Sequence, residues 1–354
     1  MRIVVTGATG NIGTAVLRRL AAEDHELVGL ARRVPAGPLA GGQPAAWRSV
    51  DLTRVTPDEL ARVFDGADAV VHLAWGFQPS HDLRYLRELG VGGTRRVVAA
   101  AAAAGVPHLV HLSSIGAYSP RRDDAPVDES WPTDGVPTSR YSRHKAAAER
   151  ILDEAEAEGA VPTVTRLRPG IVGQHSAGSA LLRYGLPGLV PARALTWLPV
   201  LPLDRRLAIP VVHADDVADA VARVLDRGAA GAFNLAADPP LTAADIARVL
   251  GARLVHVPSA LVRPAMSAAW HLRLQQVDTG WLDMAFALPL LDTTRARTEL
   301  GWKPTKDAVA VFGEVVDGMR TAASGPTAVL RPRTVAGAVG DALLHGHVGR
   351  RSRP

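Results

Sequence analysis

The chain has 354 residues, 47% of them apolar, with a formal net charge of +5 and no cysteine. That length supports a large core in one or two domains, and the lack of cysteine excludes disulfides and thiolate metal sites, which fits a reducing, cytoplasmic setting. No apolar run is long and charge-free enough to cross a bilayer, and the N-terminus lacks a signal-peptide layout, so neither a membrane segment nor export is expected.

In chain order, Arg2 leads into Ile3-Val4-Val5, a β-branched run that reads as a buried parallel strand. A turn with Gly7, Gly10 and Gly13 follows, and residues 12–20, apolar and studded with arginine, read as a helix. Strand, glycine turn and helix together form the context that binds a pyrophosphate. The glycines let backbone N–H groups approach the phosphates, and the helix N-terminus adds partial positive charge. Residues 25–30 read as a second strand, ending at Ala31-Arg32-Arg33. An acid at this strand end would bond the 2′-hydroxyl of NAD, whereas a basic residue accommodates the 2′-phosphate of NADP. The acid is missing, so Arg32 and Arg33 favour NADP(H) over NAD(H). In an arginine-rich chain an ordinary exposed pair stays open as the alternative.

A Pro/Gly-rich loop (35–44) leads to a third strand, 47–52, whose end places Asp51 beside the adenine. Strand 69–74, a long helix (about 82–104) and strand 108–113 then repeat the alternation of an α/β fold, a Rossmann-type doubly wound parallel sheet. His72, His108 and His111 fall within these strands and read as core histidines; no metal site is expected. Strand 108–113 ends in Ser113-Ser114, and 27 residues beyond Ser114 comes Tyr141-Ser142-Arg143-His144-Lys145, opening a helix. Tyr141 and Lys145 are four apart and share a helix face. A lysine ammonium there would lower the phenol's reference pKa of about 10, and a serine hydroxyl could bond the same substrate oxygen.

With these motifs the chain resembles the extended short-chain dehydrogenase/reductases, the NAD-dependent epimerase/dehydratase family. The likeness covers about residues 1–305 and rests on TGATGNIG (6–13), Asp51-Leu52, VHLAW (71–75), SSIGAY (113–118), YSRHK (141–145), RPGIVG (168–173), VHADDVA (212–218), FNLA (233–236) and LGWKP (300–304). The resemblance implies Ser114, Tyr141 and Lys145 as catalytic residues. It implies cofactor contacts from Gly7, Thr9, Gly10, Asn11, Ile12, Gly13, Asp51, Leu52, Leu73, Ala74, Lys145 and Pro169, beside the arginines at the second strand's end. It also implies a homodimer through helices near 82–104 and 141–158.

Some positions depart from the family pattern. Gly90 stands where many members have an asparagine that stiffens the active site. Ile115-Gly116 replaces the Asp-Glu pair of the sugar-nucleotide 4,6-dehydratases, so that reaction is not expected. Ile209 occupies the position of the epimerases' diphosphate-binding arginine, with Arg205 and Arg206 upstream, and Gly170 replaces an asparagine often found after Arg-Pro.

Residues 1–175 and 209–238 are expected to form the dinucleotide-binding domain, and 176–208 and 239–322 a smaller substrate-binding domain or lid. The 176–208 insertion has four prolines, many leucines and a single acid, Asp204. Such a lid suits a lipophilic substrate; simple packing of the small domain is the equal alternative. Around Leu241-Thr242 and Asp292-Thr293-Thr294 the pattern predicts capped helix starts. From Ser324 onward five arginines (Arg331, Arg333, Arg350, Arg351, Arg353) face one acid, Asp341, so this end carries +4 of the +5 and the body only +1. Residues 323–354 therefore read as a basic, flexible tail, and nucleic-acid binding is not expected.

The leading functional expectation is an NADP(H)-linked oxidoreductase acting at a carbonyl or secondary alcohol of a small-molecule substrate. A sugar-nucleotide epimerase is the runner-up, and an NADP-binding regulator without turnover is the alternative from another class.

Overall fold

The computed structural model describes residues 1–37, 39, 44, 46–76, 80–185 and 199–332. In chain order, β1 (Arg2–Thr6) leads to α1 (Asn11–Leu20), β2 (Glu26–Ala31), β3 (Ala46–Ser49), α2 (Pro57–Phe64) and β4 (Ala69–His72). Next come α3 (Leu83–Arg87), a π-helical turn (Glu88–Gly92), α4 (Gly93–Ala103), β5 (His108–Leu112), α5 (Arg140–Ala157) and β6 (Thr163–Pro169). Beyond them lie β7 (Ile171–Gly173), α6 (Gly178–Gly185), β8 (Val200–Leu203), β9 (Ala208–Ile209), β10 (Val211–His213), α7 (Ala214–Arg227) and β11 (Gly231–Leu235). The remainder is β12 (Leu241–Thr242), α8 (Ala243–Leu250), β13 (Arg253–His256), α9 (Ser259–His271), α10 (Thr279–Ala287), α11 (Thr294–Glu299) and α12 (Ala308–Arg320).

Seven strands form one parallel sheet in the order β11-β6-β5-β4-β1-β2-β3. The order reverses at β1, the switch point beyond which open α/β sheets bind ligands. The two-residue alternation of strand side chains separates the core into two layers. Ile3 and Val5 join α1, α7 and the fully buried Trp302 on one face. Val4, Val28 and Leu30 join Leu60 and Phe64 of α2, Val97 of α4 and Ile151 and Leu152 of α5 on the other. The remaining strands form small pairs, β7 with β10, β8 with β13, and β9 with β12.

Local chemistry sets the element ends. Thr56 and Glu59 form a capping box at α2, as do Thr242 and Asp245 at α8. Ser139 caps α5, its side chain accepting from the Ser142 N–H. Three boundaries differ from the sequence expectation. β3 stops at Ser49, and Asp51 instead turns the chain by accepting from the Thr53 N–H and hydroxyl at 2.9 and 2.7 Å. The helix expected over 82–104 is broken by the π-helical turn at Glu88–Gly92. At α11 Thr293 makes no capping bond; Asp292 Oδ1 accepts from the Thr294 N–H instead. The middle of the proposed 176–208 lid, residues 186–198, lies outside the described residues, and among those described no helix is long and apolar enough to cross a membrane.

Candidate active site

The glycine turn between β1 and α1 is shaped by close backbone approaches. Gly7 has φ +68°, and a Cβ there would lie 2.7 Å from the Ala74 nitrogen after β4. One on Gly13 would lie 2.3 Å from the Gly7 carbonyl oxygen. Only glycine fits either place, and this lets α1 start against the turn with its N–H groups open. Gly10 precedes that first helical turn, and no side chain caps it. Asn11 is held from behind, its carbonyl accepting from Gln174 Nε2 at 2.6 Å and its own Nδ2 donating to the Val172 carbonyl at 3.2 Å. Ile12 packs into the core. These residues form a cradle of backbone groups at the start of α1.

Leu73 and Ala74 lie directly after β4 against this turn, and the Leu73 N–H donates to the Thr6 carbonyl at 3.2 Å. Leu52 is buried beside Gly93, and Pro169 closes β6 opposite Leu235. Next to it, a Cβ on Gly170 would meet the Pro210 carbonyl oxygen at 2.3 Å, so the asparagine common at this position has no room. At the end of β2, Arg32 donates to the Tyr85 hydroxyl at 2.9 Å. Burial, then the neighbouring Arg32 and Arg331 guanidiniums, holds Arg33 below the usual guanidinium range.

Arg331 comes from the segment that the sequence reading placed in a flexible tail. In the structure residues 324–332 pack on the body. Thr327 is 1% exposed and donates through its hydroxyl to the Thr9 carbonyl at 2.8 Å, inside the glycine turn. Leu330 is buried, and its carbonyl accepts from the Gly325 N–H at 2.7 Å. Residues 333–354, with the other tail arginines, lie outside the described residues. Sequence reasoning missed this strap because its arginines and small residues carry no periodic apolar pattern.

Ser114 and Tyr141 meet beyond the C-terminal end of β5, with Lys145 one turn further along α5. Ser114 accepts from the Gly116 N–H at 3.0 Å, and its hydroxyl is hydrogen-bonded to the Tyr141 phenol. Gly116 admits the phenol ring, since a Cβ there would lie 2.7 Å from Tyr141 Cε1. In place of the lowering expected from Lys145, burial pushes the Tyr141 pKa up to about 12, and the influence that opposes it is the Ser114 hydrogen bond. Lys145 is 2% exposed and donates to the Leu112 carbonyl at 2.8 Å. Burial lowers its pKa to about 7, with Glu149 opposing. Aromatic rings wall the pocket over Tyr141. Trp281 lies 5.1 Å from it, and Trp75 meets it edge-on at 6.3 Å.

Beneath the site lies a buried polar network that was legible only as motif letters. Glu149, two turns on from Tyr141, accepts from Ser113 and takes both Nε and Nη2 of Arg168 at 2.9 and 3.0 Å. Arg166 adds a 3.1 Å contact. Arg168 also donates to the Tyr118 hydroxyl at 3.1 Å, and Tyr118 donates to Asn234 Oδ1 at 2.7 Å. Hydrogen-bond donors outweigh desolvation, so the Glu149 pKa is lowered even though burial, the largest single influence, raises it.

The three histidines lie in the strands as expected. Thr94 Oγ1 donates to the Gly90 carbonyl and so accepts from His72 Nε2 at 3.2 Å; this leaves His72 Nδ1 to accept from Thr6 Oγ1 at 2.7 Å. Burial lowers the His72 pKa to about 3.

The sheet order, the glycine cradle at its switch point and the tyrosine–lysine helix beside it define a dinucleotide-binding α/β protein. The family model described as "NAD dependent epimerase/dehydratase family" matches residues 3–236. The chain belongs to that family. It is 29% identical over 326 residues to dTDP-6-deoxy-L-talose 4-dehydrogenase (NAD(P)(+)) of Kitasatospora kifunensis, covering 91% of this chain and 96% of the relative. It is 30% identical over 305 residues to 2'-dehydrokanamycin reductase of Streptomyces kanamyceticus, covering 82% and 78%. The structure of UDP-glucose 4-epimerase with UDP-glucose from Thermotoga maritima has the same fold, with TM-score 0.69 at 19% identity over 91% of this chain and 99% of that one.

Proposed function

We propose that the protein is an NADP(H)-linked oxidoreductase acting at a carbonyl or secondary alcohol carbon of a small substrate with an apolar face. The observation that carries this reading is the half-buried Tyr141 phenol, hydrogen-bonded to Ser114 and four residues before Lys145, in a pocket walled by Trp75 and Trp281. Both relatives named above are redox enzymes by name, which supports the reading. A bound nicotinamide would supply or accept the hydride. Ser114 then orients the substrate oxygen. Tyr141 donates its proton to that oxygen during reduction and removes it during oxidation, and the Lys145 ammonium stabilises the phenolate left behind. Gly7, Thr9, Gly10, Asn11, Ile12 and Gly13 would hold the pyrophosphate, with Asp51, Leu52, Leu73, Ala74 and Pro169 along the rest of the cleft. Arg32 and Arg33 would meet the 2′-phosphate.

Sugar-nucleotide epimerisation is less well supported. Ile209 is packed with Leu241 and Val311 where a diphosphate-binding arginine would stand. Nearby, Arg206 is already paired with Asp204 at 2.8 Å.

Tyr141→Phe tests the catalytic reading. Reduction of a panel of ketones, followed by NADPH absorbance, should fall on the order of 10²–10⁴-fold while NADPH binding survives. Undiminished turnover would remove Tyr141 from the mechanism, and absent turnover across ketones and alcohols would favour the regulator. Analysing products from UDP-sugars covers epimerisation, which leaves no net cofactor signal. Titrating NADPH and NADH against tryptophan fluorescence tests the cofactor preference; tighter NADH binding would overturn it.

A further inference from the structure

We propose that Trp75 is a positioning residue for Lys145, its indole face holding the lysine ammonium while its edge meets Tyr141, in the space that Gly90 leaves open. This deepens the redox reading above and rests on it for its catalytic meaning. The contact itself stands on geometry. Lys145 Nζ lies 3.6 Å from the Trp75 ring centroid while donating to the Leu112 carbonyl at 2.8 Å. A cation at that place is attracted by the negative face of the indole, most strongly where water is excluded.

The indole is itself held on several sides. A Cβ on Gly90 would lie 3.0 Å from its Cζ2, so a side chain there would press the ring back by a few tenths of an ångström. Gly90 belongs to the π-helical turn, a rare distortion often found at functional sites. Its carbonyl is fixed by the Thr94 hydroxyl at 2.7 Å, which His72 and Thr6 anchor in turn. On another side the ring meets Tyr141 at 6.3 Å and an interplanar angle of 80°. One side chain therefore touches both members of the tyrosine–lysine pair.

The other groups facing Lys145 leave the ring a distinct part. Glu149, on the lysine's own helix, is already committed to Ser113, Arg166 and Arg168. His72 on β4 and His111 on β5 are held neutral by burial, with Lys145 itself pushing the same way. A tryptophan that merely filled space would leave the lysine's charge indifferent to its replacement by leucine.

The chain's lysines are Lys145, Lys303 and Lys306, so lysine NMR can report on this contact with no substrate at all. The full chain is labelled with ¹³C-lysine, and Lys145 is assigned from the signal lost in Lys145→Arg. In the native protein its ε-methylene protons should lie upfield, shielded by the indole. Trp75→Leu should move them downfield and lower the Lys145 titration midpoint by about 0.5–1 pH unit. Trp75→Phe, which keeps an aromatic face, should preserve most of both features. Gly90→Ala, which displaces the ring with Trp75 intact, should fall between native and Trp75→Leu. Lys145 signals unchanged in Trp75→Leu, or moved equally by the Phe and Leu variants, would overturn the proposal. If Trp75→Leu fails to fold, Gly90→Ala decides, and an unmoved Lys145 signal there overturns it. A result against this contact leaves the redox reading standing. Unchanged turnover in Tyr141→Phe would remove the redox reading and leave the contact standing.

Discussion

Glu149 carries its charge at 0% exposure, where Ser113, Arg166 and Arg168 together meet both carboxylate oxygens. Two arginines have left bulk water to do so, and removing one partner of such a cluster strands the others, at a cost of about 3–5 kcal/mol. Glu149→Gln should therefore lower the urea-derived unfolding free energy by about 3 kcal/mol. An unchanged midpoint would mean that water reaches the arginines. The same variant also removes the charge that raises the Lys145 pKa, so the Lys145 titration should move down with it. The sequence shows Tyr141, Lys145 and Glu149 at four-residue steps, a pattern that places them on one face of α5. It shows Tyr118, Arg168 and Asn234 only as letters of the SSIGAY, RPGIVG and FNLA motifs, because their bonding depends on which strand ends lie side by side.

At the scale of the element, the strap formed by residues 324–332 has the largest consequence for the cofactor end of the site. Its Thr327 hydroxyl reaches the glycine turn, and its Arg331 lies near enough to influence Arg33. Thr327→Val removes the hydrogen bond and keeps the shape. It should cost about 1 kcal/mol in stability and weaken NADPH binding severalfold. Stopping the chain after residue 323 should weaken binding further; equal NADPH affinity in all three proteins would show the strap to be independent of the cofactor. The π-helical turn was equally hidden in the sequence. The helix was legible over 82–104, but a local lengthening of the hydrogen-bond pattern at Glu88–Gly92 leaves no mark on the apolar periodicity. The glycine turn was readable because part of its constraint is local, Gly7 taking a positive φ and Gly13 meeting the Gly7 carbonyl, whereas the approach of Ala74 to Gly7 was not.

For the molecule as a whole, the parallel sheet buries His72, His108 and His111 uncharged. Burial lowers His72 to about 3 and His108 to about 4, with His111 also well below its ordinary value. Between those values and about 6.5 the unfolded chain binds more protons than the folded one. Stability therefore rises with pH across that window and is lost on acidification. For His72 and His108 the loss by pH 5 is about 2 kcal/mol each. Glu149, whose folded pKa is lowered, adds to the loss below its unfolded value. Urea unfolding at pH 7.5 and 5.0 should show this difference, and comparable stability at both would contradict it. Among the described residues neither ring nitrogen of His111 has a hydrogen-bond partner, so His111→Leu should reduce the acid loss without opening a bonded pair. The parallel sheet was legible at this scale from the alternation of short apolar strands with helices; its strand order came from the structure. The packing of 324–332 onto that sheet was not legible.

The bond between Thr327 and Thr9 spans 318 positions of sequence, and that separation sets an order of events during synthesis. The glycine turn leaves the ribosome long before the hydroxyl that will hold its Thr9 carbonyl, so the turn is completed only after the intervening chain has been made. A nascent chain that stalls short of Thr327 presents an unbraced turn, its Thr9 carbonyl without the donor that holds it in the folded protein.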